Sequence, residues 1–150
     1  MQCPRDDSEL QIEMNKGIEV DRCPTCNGLW LDYPELDGLE DTVLDDDHIK
    51  GTMIYSPHPG GINCPKCGEE MTAFHYRANN LELDVCGKHG HGFWLDHGED
   101  KEVLGFMNQR IKDLQRSASA EVQWDKFLAS SARGKGGGFL GGIKRFFTGK

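Results

Sequence analysis

With 150 residues, 37% of them hydrophobic, and 17 Lys+Arg against 25 Asp+Glu, the chain is a small acidic polypeptide within the length of one ordinary domain, and no large single core is expected. No run of 18 apolar residues occurs, which excludes a membrane-spanning helix, and the opening Met-Gln-Cys-Pro-Arg-Asp-Asp has neither the basic end nor the apolar stretch of a secretory signal. The expected location is the cytoplasm, where the six cysteines read as metal ligands and not as disulfide halves.

In chain order, Cys3-Pro-Arg-Asp6 opens the sequence as a degenerate knuckle. Leu10, Ile12 and Met14 then alternate with polar neighbours, Asn15-Lys16-Gly17 supplies turn chemistry, and Ile18 and Val20 resume the alternation, which predicts a β-hairpin. Cys23-Pro-Thr-Cys26 follows as a full Cys-x-x-Cys knuckle. After Gly28-Leu-Trp-Leu-Asp32 the period becomes helical. Asp32 and Glu35 form a capping box, and Leu36, Leu39, Val43 and Leu44 fall on one side of a short helix. Residues 41–61, with Asp45-Asp46-Asp47 and then Pro57, Pro59, Gly60 and Gly61, read as a linker between two distinct lobes.

The order then repeats. Cys64-Pro-Lys-Cys67 is a full knuckle, and Met71 to Arg77, Asn79-Asn80 and Leu81, Leu83 and Val85 make a second hairpin. Cys86-Gly-Lys-His89 is the second degenerate knuckle. Gly92-Phe-Trp-Leu-Asp96 matches the earlier block at an offset of 64 residues, and Asp96 with Glu99 repeats the cap. A helix should then align Val103, Leu104, Met107, Ile111 and Leu114, continuing through Val122, Trp124, Phe127 and Leu128. Residues 133–150 end the chain with Arg133, Lys135, Lys144, Arg145 and Lys150, no acid, and a Gly-rich flexible composition.

Units of roughly 40 residues bury too little apolar surface to fold alone, and a structural zinc ion, contributing on the order of 10 kcal/mol in small zinc peptides, is the usual remedy. Two Zn²⁺ per chain are therefore expected. The first would be held by Cys3, Asp6, Cys23 and Cys26, with Asp7 as an alternative oxygen donor or the site lost, and the second by Cys64, Cys67, Cys86 and His89. His91 is the competing fourth ligand of the second site, because aligning the two tryptophan blocks sets it opposite Asn27. Trp30 and Trp94 could stack on bases, but their place between a knuckle and a cap favours packing of each hairpin against the following helix.

The run Asp21-Arg-Cys-Pro-Thr-Cys-Asn-Gly-Leu-Trp-Leu-Asp-Tyr-Pro-Glu-Leu36 resembles the transcription-factor-IIB-type zinc ribbon of small bacterial proteins. The second copy departs from it at Cys86-Gly-Lys-His89 and at Asp100, the counterpart of Leu36. The resemblance implies a small metal-stabilised α+β fold of tandem zinc ribbons with cysteine ligands. The expected divisions are a ribbon at 1–40, the linker at 41–61, a second ribbon at 62–105, a helical extension at 106–132 and the tail at 133–150.

No catalytic set is legible, since four-ligand sites leave no open position for water, and no enzymatic activity is expected. The expectation is a protein-interaction adaptor acting near transcription, with Phe139, Leu140, Phe146 and Phe147 of the tail as a docking segment. The tail is also the one part suited to an anionic membrane surface. Direct binding of DNA or RNA is the alternative. It is disfavoured by the eight acidic residues and absent bases between Asp32 and Asp47, which would face phosphate repulsion. Zinc buffering or thiol redox sensing is a further alternative.

Overall fold

The structure, a computed structural model, describes residues 1–133; the docking segment expected at Phe139 to Phe147 lies outside them. The described residues divide into two units, Met1–Lys112 and residues 113–133.

In the first unit the strands are β1 (Gln11–Asn15), β2 (Ile18–Arg22), β3 (Leu29–Leu31), β4 (Ile54–Asn63), β5 (Glu70–Tyr76), β6 (Glu82–Val85) and β7 (Phe93–Leu95). The helices are α1 (Tyr33–Asp41), the single turn α2 (Asp47–Lys50) and α3 (Glu99–Arg133). Both expected hairpins form. Lys16 and Gly17, at φ of 53° and 86°, connect β1 to β2, the positive-φ pair that matches the twist of adjoining strands.

The halves are not separate lobes. All seven strands make one antiparallel sheet in the order β1-β2-β3-β7-β6-β5-β4, and the seam is β3 against β7, with Leu29 opposite Leu95, Trp30 opposite Trp94 and Leu31 opposite Phe93. The two copies of the tryptophan block therefore run antiparallel through the middle of the sheet. Segment 41–61, read from composition as a linker, carries α2 and most of β4. Pro57 and Pro59 fit there because β4 is an edge strand, where a missing N–H costs no ladder bond. Register shifts between Tyr55 and His58 and between Pro59 and Asn63 interrupt its pairing with β5.

Each central strand is buried on both faces. One face takes Leu29, Leu31, Phe93 and Leu95 together with Leu36 and Leu39 of α1 and Val103, Leu104 and Met107 of α3. The opposite face takes Trp30 and Trp94 with Cys3, Cys23, Cys64, Cys86, Leu10, Ile62 and Met71. The indoles thus pack among the cysteine knuckles and not, as expected, against the helices, because strand alternation sends residues 30 and 94 to the side opposite their neighbours.

The capping box of α1 is complete: Glu35 N–H donates to Asp32 Oδ1 at 2.8 Å and Asp32 N–H to Glu35 Oε2 at 2.7 Å. In α3 only the return bond forms, Asp96 N–H to Glu99 Oε2 at 2.7 Å. Gly98 stands where the first copy has Pro34. At φ of 92° it delays the helix start to Glu99 and leaves the Asp96 side chain free for other partners.

Buried charges close the helix side. Glu40 is fully buried and accepts from Arg77 Nη2 at 2.7 Å and from the Tyr76 hydroxyl. Lys50, 2% exposed, lies 2.8 Å from Asp37 and 3.1 Å from Asp47 and also bonds Asp41. Desolvation works against the Lys50 charge, but these carboxylates outweigh it and raise its pKa.

In the second unit α3 continues from Asp113 as a polar helix on which Val122, Trp124, Phe127 and Leu128 are exposed, Trp124 stacking on Phe127 at 5.5 Å.

Candidate metal centres

Four knuckles are built alike from the backbone upward. The residue four after each leading cysteine has positive φ: Asp7 (59°), Asn27 (61°), Gly68 (74°) and Gly90 (62°). Its N–H bonds the cysteine carbonyl in every case, at 3.0, 3.0, 2.8 and 2.8 Å for Cys3, Cys23, Cys64 and Cys86. Each of these cysteines donates its own N–H across the turn, to Ser8, Gly28, Glu69 and Gly92 at 2.7 to 2.9 Å. The turn curls around the sulfur, and N–H groups of Arg5, Thr25 and Cys26 point at the thiols of Cys3 and Cys23. These donors favour the thiolate, the form a metal binds. The sequence reading missed this left-handed position. Its signal was available, since Asp, Asn and Gly are the residues that tolerate it.

Two knuckles converge on each of two points. Cys3, Asp6, Cys23 and Cys26 bring one sulfur or oxygen apiece within 4.8 Å of one another, and Cys64, Cys67, Cys86 and His91 do the same. Cys3 and Cys26 sulfurs are 3.5 Å apart, Cys23 and Asp6 3.4 Å, Cys67 and Cys86 3.8 Å, and His91 Nδ1 is 3.6 Å from Cys86. Sulfurs at 2.3 Å from a tetrahedral Zn²⁺ stand about 3.8 Å apart, so both donor sets fit the ion. Cys3, Asp6, Cys23 and Cys26 would hold one zinc and Cys64, Cys67, Cys86 and His91 the other.

In the second group the structure places His91, and not the expected His89, beside the cysteines. Up to Gly90 the knuckle keeps the backbone pattern of the others. The one additional residue before Gly92 is His91, and its Nδ1 enters the group while His89 is exposed and stacks on its ring at 5.4 Å. In the first group Asp6 supplies the oxygen, and Asp7 serves as the left-handed residue of the turn.

Burial pushes the Cys3 thiol up to about 12 and the Cys64 thiol up to about 11, against the opposing effect of backbone N–H groups. A bound cation would have to displace those protons, which ties loading to pH. A third acidic trio, Asp37, Asp41 and Asp47, has ligand atoms equally close, but the Lys50 ammonium sits among them and answers their charge.

The ribbons are locked across the seam as well. Arg5, in the first knuckle, gives a two-pronged bond to Asp96 at 3.0 and 2.7 Å and lies 3.6 Å from Asp84. Asp96 also accepts from Trp94 Nε1 at 2.8 Å.

Compared with protein families, the chain matches the model described as a transcription factor zinc-finger, the TFIIB-type zinc ribbon, twice, over residues 2–42 and 63–103. Nothing matches among curated proteins or among solved structures. The two matched segments cover more than half of the chain, and each contains both knuckles of one donor group.

Proposed function

We propose that this chain, which belongs to the transcription-factor-IIB-type zinc ribbon family, is a non-enzymatic adaptor whose zinc-binding ribbons serve as a rigid base for binding another protein. The observation that carries the reading is the exposed apolar set on α3: Val122, Trp124, Phe127 and Leu128 are each about half exposed, on the part of the helix beyond Lys112. Four such side chains within seven positions are a costly surface to leave in water and suit a complementary apolar partner. The tail residues Phe139, Leu140, Phe146 and Phe147 extend the same chemistry in sequence. Action near transcription and a cytoplasmic location belong to this proposal. No helix among the described residues is long and apolar enough to cross a membrane.

The nucleic-acid alternative has less support. Trp30 and Trp94 are at most 1% exposed and have no free face for a base, and the carboxylates from Asp32 to Asp47 repel phosphate. The test is crosslinking of the full chain in its native cell, with partner contacts mapped by peptide. Crosslinks concentrated on residues 114–128 and lost in the Trp124→Ser/Phe127→Ser variant, with zinc content unchanged, are the expected result. A gel shift with DNA or RNA that weakens steeply with salt and persists in that variant would replace the adaptor reading with the alternative.

A further inference from the structure

The two donor groups are unequal in a way that bears on what the metal does. Of their eight residues Asp6 alone is exposed, whereas the six cysteines and His91 are buried or half-buried. Asp6 is also the one oxygen donor, and a hard carboxylate holds Zn²⁺ less firmly against soft competitors than thiolate does.

A departing Asp6 has a place to go. Ser8 N–H already donates to its Oδ1 at 2.9 Å, so the carboxylate can turn from an ion to the backbone without losing all its partners. The second group offers no such exit, because His91 is half-buried and covered by the ring of His89.

We propose that the Cys3–Asp6–Cys23–Cys26 site is an exchange site, opening at Asp6 to pass zinc to, or receive it from, a thiolate or imidazole donor on another molecule. The Cys64–Cys67–Cys86–His91 site keeps its ion. The step is a ligand substitution without redox change: the incoming donor supplies an electron pair as Asp6 withdraws its own, and the freed carboxylate stays ionised against Ser8. Cys3, Cys23 and Cys26 retain the cation until further donors displace them. Emptying this site leaves the fold standing, since β3 remains paired with β7 and Arg5 ties the first knuckle to Asp96. The inference goes beyond the adaptor reading and does not depend on it.

The test uses the full chain loaded with zinc and mixed with a chromophoric pyridylazo chelator. Release in two phases of equal amplitude is expected, the faster by about tenfold or more, with Asp6→Cys abolishing the fast phase and His89→Ala, which uncovers His91, leaving the fast phase unchanged. A single phase, a stoichiometry of one zinc, or a fast phase that survives Asp6→Cys overturns the proposal. Should Asp6→Cys not fold, cadmium NMR of the unaltered chain decides. Glutathione should perturb the resonance of the three-sulfur, one-oxygen site first, and earlier loss of the histidine-containing site's resonance is the contrary result.

Discussion

Gly28 of the first ribbon lies against the indole of Trp94 of the second: a Cβ at Gly28 would fall 2.2 Å from Trp94 Cζ2. The relation is reciprocal, since a Cβ at Gly92 would fall 3.0 Å from Trp30 Cζ2 and 2.3 Å from the Leu31 carbonyl oxygen. The Gly-x-Trp spacing shared by both copies is thus a cross-repeat fitting, in which each glycine makes room for the other copy's tryptophan.

Gly92→Ala should accordingly destabilise the fold by about 3 kcal/mol or more, because the new methyl meets fixed backbone and φ of 148° is strained for any L side chain. Gly28→Ala, which meets a side chain, should cost about 1–3 kcal/mol. Urea midpoints of the zinc-loaded proteins check the order. Equal costs would mean that the seam yields as easily at the backbone as at the ring.

Glu40→Gln leaves Arg77 buried without its counter-charge, and a loss of about 3–5 kcal/mol is expected. Replacing both, as Glu40→Leu/Arg77→Met, should recover part of that loss, since paired removal strands no charge. A double variant less stable than Glu40→Gln, measured by calorimetry, would contradict this account.

His91→Ala should lower bound zinc from two ions per chain towards one, while His89→Ala should leave two. Elemental analysis after gel filtration reads this directly, and the reverse pattern would restore His89 as the ligand.

Glu99 gives a pH signature. Burial first, then repulsion from Asp96, Asp84 and Glu102, lifts its pKa from 4.5 to about 7, although the Asp96 N–H bond opposes the rise. Between those values the native state holds a proton that the unfolded chain has released, so this group's contribution to stability falls as pH rises through the window. Glu99→Gln removes the titration. Its stability relative to the unaltered protein should rise from pH 5 to pH 7.5, a comparison in which the protons linked to the metal ligands cancel. A flat difference between the two urea curves would refute the assignment.

The local pieces were legible in the sequence because each depends on residues close together: the Lys16-Gly17 turn, the Asp32 and Glu35 cap, and the cysteine pairs. What the sequence left hidden depends on contacts between copies. Strand alternation around Trp30 was readable, but which face its side chain joins depends on β7 arriving from the other repeat. Segment 41–61 has the composition of a linker, and it becomes an edge strand only because β5 offers it a ladder. His91 was legible only as the rival of His89, because the placement of the one-residue excess follows from the turn closing at Gly90. The apolar interior is likewise larger than a 40-residue unit could make, since α1 and α3 cover the same side of one sheet.

The strand pair at Leu29–Leu31 and Phe93–Leu95 has a practical corollary. Severing the covalent chain between Leu44 and Asp46 leaves two pieces whose raw edges match only each other, so co-expressed halves should reassociate into one particle. A reporter split at that point would light up on reassembly, with no fusion partner needed to bring the pieces together.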